Sequence, residues 1–232
     1  MGDNPFREVG YRPNPSDAPF HQALREPVRV VELERARASH HLRWLAGALR
    51  FHGLAALGER TLRLAGEPAL TATSVSALSR LLERTWALGW ATTGVGVLPA
   101  ERLAGLGAGP VARAAGLSED ARAAQPAYRA LGFEPQVGRS GDARGRWRQR
   151  LGEAVQALDL AERAGERRTE PAESVESPHG RLTAWARPMA VLLDLLPALL
   201  AGQEWGDAMT TIVSLDLDLE AALPANTTAA AT

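Results

Sequence analysis

The sequence predicts a mainly α protein, a helical bundle core with at most a small β-hairpin. Three observations carry that expectation. Trp147, Leu151, Ala154, Leu158 and Ala161 recur at spacings of four, three, four and three, which is one face of a helix over 144–165. Val75, Leu78, Leu82 and Trp86 repeat the pattern within 74–91. Residues 28–57 hold no Pro and a dense mix of Leu, Ala, Arg and Glu, ending at Gly58, and read as one long helix.

The remaining elements follow in order. Pro5, Pro13, Pro15, Pro19 and Pro27 each remove a backbone donor, so residues 1–27 are expected to form an extended arm. On the first helix Glu32, Arg35, Ser39, Arg43 and Arg50 make a solvated stripe. Glu34, Arg37, His41 and His52 fall in a narrow arc on the opposite side, among Leu33, Ala38, Leu45, Ala48 and Leu49, where some of them must be at least partly buried. A helix with two polar lines sits inside a bundle or under a partner. The 74–91 helix ends near Gly94 and Gly96, residues 99–107 can form one short helix, and Gly105, Gly107, Gly109 and Pro110 then break the chain. A turn-rich middle runs to 143. Glu166 to Ser177 reads as a linker, and the stretch around Pro178, His179 and Gly180 as a small hairpin. Residues 188–201 read as a buried helix kinked or interrupted at Pro197. For 207–215 helix and strand both stay open. The tail from Pro224 is small and polar and should fray.

Composition limits the chemistry. With 232 residues, 45% of them hydrophobic, the chain can bury one sizeable core or two small ones. A net charge of -1, from 26 basic and 27 acidic residues, gives no global electrostatic reason for a nucleic-acid or acidic-membrane partner. Every basic residue is Arg, so no P-loop lysine exists. The absence of Cys excludes disulfides, thiolate metal sites, iron–sulfur ligation and a Cys nucleophile. His21, His40, His41, His52 and His179 show no spacing that puts two metal ligands on one helix face. The Arg-rich stretch 139–150 around Trp147 belongs to the helix start, where several of its Arg can answer Glu119 and Asp120 or stay solvated, rather than to a phosphate-binding patch, and no nucleic-acid partner is expected. Gly94-Val95-Gly96 lacks the rest of a dinucleotide motif, and Ser140 and Ser214 lack a nucleophile elbow. No secretory leader is recognised, and the apolar run Met189 to Ala201, interrupted by Asp194 and Pro197, falls short of the roughly 20 residues that span a bilayer. The expected location is cytoplasmic, or peripheral on the cytoplasmic face of a membrane.

Four segments in order resemble one family: residues 32–47 (ELERARASHHLRWLAG), 109–116 (GPVARAAG), 137–158 (VGRSGDARGRWRQRLGEAVQAL) and 175–182 (VESPHGRL). They resemble the large subunit of nickel–iron hydrogenases, particularly the energy-converting membrane-bound group, and its cofactor-free relative, the quinone-module subunit of respiratory complex I. The resemblance rests on Leu33-Glu34-Arg35, Ser39-His40, His41-Leu42 and Trp44-Leu45; on Gly109, Pro110, Arg113 and Gly116; and on Gly141, Asp142, Arg146 and Arg150.

That resemblance implies a hydrogenase-large-subunit-type helical domain over 28–222, with the arm at 1–27 and a disordered tail at 223–232. It also shows two departures. The place of the C-terminal metal-binding Cys pair reads Ser214-Leu215-Asp216-Leu217-Asp218-Leu219, and the arm has no Cys either, so no nickel–iron activity is expected. The N-terminal sheet that carries the quinone-facing His in the complex I subunit has no counterpart. The implied role is a cofactor-free component of a membrane-associated NADH:quinone oxidoreductase or energy-converting-hydrogenase-type complex, supporting electron transfer through assembly with an iron–sulfur small subunit and membrane subunits. The other reading is a stand-alone helical scaffold that has lost the redox role. No catalytic residue, metal or cofactor is assigned. The candidate site is a polar network of Glu34, Arg37, His41, Arg113, Asp142, Arg146 and Arg150, which either pair among themselves or answer a docked partner.

Overall fold

A computed structural model describes residues 28–169, 174–177, 180–183 and 189–216. The expected arm at 1–27, the tail at 223–232, His21 and His179 lie outside the described residues. The chain is mainly helical: β1 (Val28–Arg29), α1 (Val30–Phe51), α2 (Ala55–Ala65), α3 (Ala72–Glu83), α4 (Trp86–Thr92), α5 (Gly109–Ala114), α6 (Pro126–Ala130), α7 (Ala143–Ala164), β2 (Arg168–Thr169), β3 (Ser174–Ser177), β4 (Gly180–Thr183), α8 (Met189–Leu200) and α9 (Trp205–Leu215). The strands make two antiparallel pairs, β1 with β2 and β3 with β4. The second is the hairpin expected from the sequence, with Ser177 opposite Gly180.

Two 22-residue helices, α1 and α7, pack along each other at the centre, with α2 on α1 and with α3, α5 and α9 on α7. Their shared core holds Leu42, Leu45, Leu49, Val75, Leu78, Leu82, Trp147, Leu151 and Leu158. A second cluster joins Leu98, Leu103 and Val111 to Leu192 and Leu215, and a third joins Val30 and Leu160 to Tyr128 and Phe133.

The single helix expected over 28–57 is two helices. Gly53 adopts φ 76°, and the Leu54 N–H bonds the Leu49 carbonyl at 2.9 Å while the Gly53 N–H bonds that of Arg50 at 3.0 Å. This is a Schellman stop, in which glycine takes the left-handed position that side chains resist. The chain then turns back, and Gly58 of α2 lies against α1 so closely that a Cβ would sit 2.8 Å from the Ala46 oxygen and 2.9 Å from Arg50 Cγ. Gly58→Ala gains about 1 kcal/mol of helix propensity but overpacks against backbone at about 1–3 kcal/mol. The net expectation is a lower melting temperature; an unchanged or raised one in a thermal scan contradicts this packing.

The helix expected over 74–91 also divides. Thr85 leaves helical geometry at ψ 88°, and its hydroxyl donates to the Leu81 carbonyl at 3.1 Å, a local bond that competes with helix continuation. The break rotates Trp86 out of the apolar stripe and into solvent, whereas Val75, Leu78, Leu82 and Leu88 stay buried. Residues 99–107 keep only a 3-10 turn at Ala100–Arg102. In the stretch read as a linker, Arg168–Thr169 pair with Val28–Arg29, and Ser174–Ser177 form β3. Helix α8 runs through Pro197 instead of stopping there, and beyond the buried Leu192 it is mostly half-buried or exposed rather than buried throughout. Residues 207–215 are helical as part of α9.

Candidate functional site

On the polar line of α1, Glu34 and Arg37 are answered from within the chain, whereas His41 Nδ1 and His52 Nε2 are buried without a hydrogen-bond partner among the described residues. Glu34, fully buried, accepts from Arg37 Nε at 3.2 Å, from the Tyr128 hydroxyl at 2.6 Å and from Arg122 Nη1 at 3.1 Å. Arg122 also grips Asp120 with two parallel bonds, Nε to Oδ1 at 3.0 Å and Nη2 to Oδ2 at 2.7 Å, and its guanidinium lies 4.3 Å from the Phe133 ring centre. Asp120 lies 3.3 Å from Arg113 Nη1. Arg113 in turn holds Glu153 bidentately, at 2.7 and 3.0 Å, and gives a bond to the Glu119 carbonyl. Glu153 accepts from Gln149 at 2.7 Å and stands 3.3 Å from His41 Nε2.

The result is a continuous line of alternating charge, Arg37, Glu34, Arg122, Asp120, Arg113 and Glu153, all buried and summing to zero, with His41 at its end. It ties α1, α7, α5, the 119–125 segment and α6 together. Burial would raise the Asp120 carboxyl, but the Arg122 and Arg113 guanidinium groups outweigh it and hold the acid far below its ordinary range. Glu153 is held well below its range in the same way, chiefly by Arg113 against burial. Burial pushes His41 down to about 4, more than the neighbouring Glu153 raises it. At neutral pH Asp120 and Glu153 are therefore anionic and His41 neutral, so these three groups fix charge and geometry and none is poised to exchange a proton.

Asp142, Arg146 and Arg150 belong to separate clusters. Asp142 caps α7, accepting from the Gly145 N–H at 2.6 Å, the Gly94 N–H at 2.8 Å and the Ser140 hydroxyl at 2.8 Å. Burial raises its carboxyl, yet these three donors and the Arg146 charge bring it below the usual value. Asp142→Ala removes the cap and strands two further donors, at a combined cost of about 2 kcal/mol. Urea denaturation should show that loss, and a midpoint within error of wild type contradicts the assignment.

Arg146 is buried and bonds Ser214 Oγ through Nε and Nη2 at 2.9 and 2.7 Å, and the Gly96 and Gly141 carbonyls through Nη1 at 2.9 and 2.6 Å. Burial lowers it to about 9 against the raising effect of Asp142, so it stays protonated at neutral pH. It pins α9 to α7. Arg150 lies 3.4 Å from Asp216 and stacks on Trp44 at 4.6 Å, while Trp44 Nε1 donates to the Val213 carbonyl at 3.2 Å.

The thiolate-bound nickel–iron centre of the hydrogenases does not fit here. The sequence has no Cys, and Ser214, in the place the resemblance gives to a metal-binding Cys, already accepts from Arg146 and donates to the Thr211 carbonyl at 2.7 Å. Among the described residues, no group of three or more His, Asp or Glu could hold a metal ion.

Sequence reasoning did not single out Arg122, Tyr128, Glu153 and Asp216, and it weighed Asp120 only as an acid for the arginines of the 139–150 stretch. Of those arginines, Arg144 and Arg148 both pair with Glu83 instead, holding its carboxyl down at about 2. One signal for Glu153 was present. Arg146, Arg150, Glu153, Ala157 and Leu160 recur every three or four residues as a second buried line on α7.

Residues 69–189, just over half of the chain, match the family described as "Respiratory-chain NADH dehydrogenase, 49 Kd subunit". An NADH-quinone oxidoreductase subunit of Salinispora arenicola (strain CNS-205) is 37% identical over 119 residues, covering 47% of this chain and 31% of that protein. The chain thus spans about a third of the length of that curated relative. In a solved structure of the membrane-bound sulfane sulfur reductase, an archaeal respiratory membrane complex, one chain superposes with a TM-score of 0.59 at 18% identity, covering 93% of this chain and 77% of that one.

Proposed function

Because the chain belongs to the family of the respiratory-chain NADH dehydrogenase 49 kDa subunit, we propose that it serves as a cofactor-free large-subunit-like component of a membrane-associated redox complex. The complex would be of the NADH:quinone oxidoreductase or energy-converting-hydrogenase type. In that role the chain carries no turnover of its own. It supports electron transfer by assembling with an iron–sulfur small subunit and membrane subunits, and sits peripherally on the cytoplasmic face. The observation that carries this reading is the placement of the family match. It contains Arg113, Asp142, Arg146, Arg150 and Glu153, and these are the residues that lock α5, α7 and α9 into one rigid body. A rigid body of fixed charge suits a subunit that positions other subunits' redox centres. No described helix is long and apolar enough to cross a membrane, which agrees with a peripheral place.

One observation favours the second reading, a stand-alone scaffold or protein-interaction module. Glu34 and Arg37 meet groups of this chain and do not require a docked partner to compensate them. Affinity isolation of the tagged chain from detergent-solubilised membranes, with iron analysis and identification of co-purifying proteins, separates the two. An iron–sulfur protein and membrane subunits are expected alongside the chain. Recovery as a cluster-free monomer, or with cluster-free partners only, overturns the redox role.

A further inference from the structure

We propose that the groove between α2 and α3 is the docking site for a helix of a protein partner, one whose apolar seam is flanked by Asp and Glu. Different core helices carry the two walls. α2 packs on α1 and α3 on α7, and a groove of about 360 Å³ stays open between them. Its floor is apolar: Leu78 is buried there, Leu64 is half-buried, and the buried Thr61 hydroxyl donates to the Leu57 carbonyl at 2.9 Å. Its rims are basic. Arg60 and Arg63 stand on the α2 wall, one helical turn apart. Ala77 and Leu81 make the opposite wall, and Arg80 and Arg84 follow Ala77 by three and seven residues, which sets them on the same side of α3. None of these four arginines has a side-chain partner among the described residues. The neighbouring acids do not answer them: Glu59 pairs with Arg50, Glu83 with Arg144 and Arg148, and Glu67 alone among the lining residues is acidic. In a chain of net charge -1, the excess of cations around this groove is therefore local.

Shape and charge together select the occupant. A bilayer surface is flat and would meet the rims without reaching Leu78, which is only 7% exposed at the floor. A small ligand needs about 70–90% of its surface covered, whereas Arg60, Arg63, Ala77 and Leu81 are all exposed and the groove is an open trough. A nucleic acid would find cations for its phosphates but no ring to stack a base on, since no aromatic side chain lines the groove. A second copy would bring α4, its helix with the exposed Trp86 and Trp90, and that helix has no acid. A partner helix matches every feature. Its apolar side chains, three or four residues apart, enter between the walls, while acids on its flanks meet Arg60 and Arg63 on one rim and Arg80 and Arg84 on the other. From Ser74 to Leu81 the lining of α3 extends about 10 Å at the helix rise of about 1.5 Å per residue, which is room for two turns of such a helix.

In the assembly proposed above this helix would belong to another subunit, and to that extent the inference rests on that reading. A photo-crosslinking residue is placed at the exposed Ala77 of the full chain, and solubilised membranes of the source are illuminated before the chain is isolated. Crosslinked peptides are expected from one other protein, in a segment with apolar residues three or four apart and Asp or Glu on both flanks. Arg60→Glu with Arg63→Glu should cut the crosslink yield about tenfold at low salt, and reversing the acids of the captured segment to Arg should restore it. Both arginines are exposed, so circular dichroism of the variant should match wild type. Crosslinks to a second copy, to lipid or to nothing overturn the proposal. So does a captured segment without flanking acids, or an unchanged yield from the Arg60→Glu, Arg63→Glu variant. The two readings fail separately: an acidic helix captured from a cluster-free protein keeps the docking site and removes the redox role, whereas an iron–sulfur protein that co-purifies with no crosslink from Ala77 does the reverse.

Discussion

Glu153→Ala is expected to lower the unfolding free energy by about 3–5 kcal/mol, because it leaves Arg113 buried without its bidentate partner. Magnitude decides the reading. An exposed ion pair is worth about 0–1 kcal/mol, so a loss in that lower range would mean that Glu153 is solvated. Both partners lie at the contact of α5 with α7, where Arg113 and Glu153 are almost wholly excluded from water. The fitting control removes the charges together. Arg113→Met with Glu153→Leu leaves Asp120 to Arg122 and should recover much of the loss, since an apolar pair can replace a buried ion pair at little cost. Urea denaturation of the two variants checks this. A double variant as unstable as the sum of its parts would place the stabilisation in packing and not in charge.

Acid should destabilise the fold before its carboxylates titrate. His41 is held neutral by burial, at about 4 in the folded chain against an ordinary value of 6.5, so between these values the unfolded chain binds more protons. Stability therefore falls with pH across that window, by about 3 kcal/mol for one such group. The groups facing His41 are Glu153, which opposes the shift, and Arg150 and His40, which add to it. Below the ordinary range of free carboxylates a second loss sets in, because Asp120 and Glu153 are depressed and their contribution disappears only as pH falls toward their folded values. His41→Leu should remove most of the first step and leave the second, with a residual slope from the half-buried His52, which burial also lowers. Melting temperatures followed from pH 7 down to 4 read the difference directly. Parallel profiles for wild type and variant would show that His41 takes up its proton as readily in the fold as outside it.

Much of the fold was legible because it rests on local rules. The apolar stripe of α7 lies on one helix and needs no partner to be seen. The same holds for α1, whose two polar lines told correctly which side is buried. The helix breaks were harder. Gly53 stops its helix through backbone hydrogen bonds and Thr85 through a hydroxyl bond to the Leu81 carbonyl, both competing with the apolar pattern, and the pattern of Val75, Leu78 and Leu82 continues through Thr85 to Trp86 although the backbone does not. The network was legible only in halves. Glu34 and Arg37 are neighbours on one helix, but the other partners of Glu34, Arg122 and Tyr128, lie 88 and 94 residues away in sequence and are brought in by α6 and the segment before it. Spacing reveals that a charge is buried and does not reveal which distant charge answers it. Asp142 was placed in the polar network through the resemblance, and its N-cap role, which an Asp directly before a helix signals locally, was not read from the sequence. Its tie to Gly94 was not local.

The family match supports the proposed role, a cofactor-free component of a redox complex of other subunits, and the buried charge line would give that component its fixed shape. The most direct test is the rate of quinone reduction by membranes from cells of the source lacking this chain, assayed with NADH and with other low-potential donors. In the proposed role, that rate falls without the chain and returns with the wild-type chain but not with Glu153→Ala, which also loses the co-purifying iron–sulfur protein. An unchanged rate in membranes without the chain would contradict it.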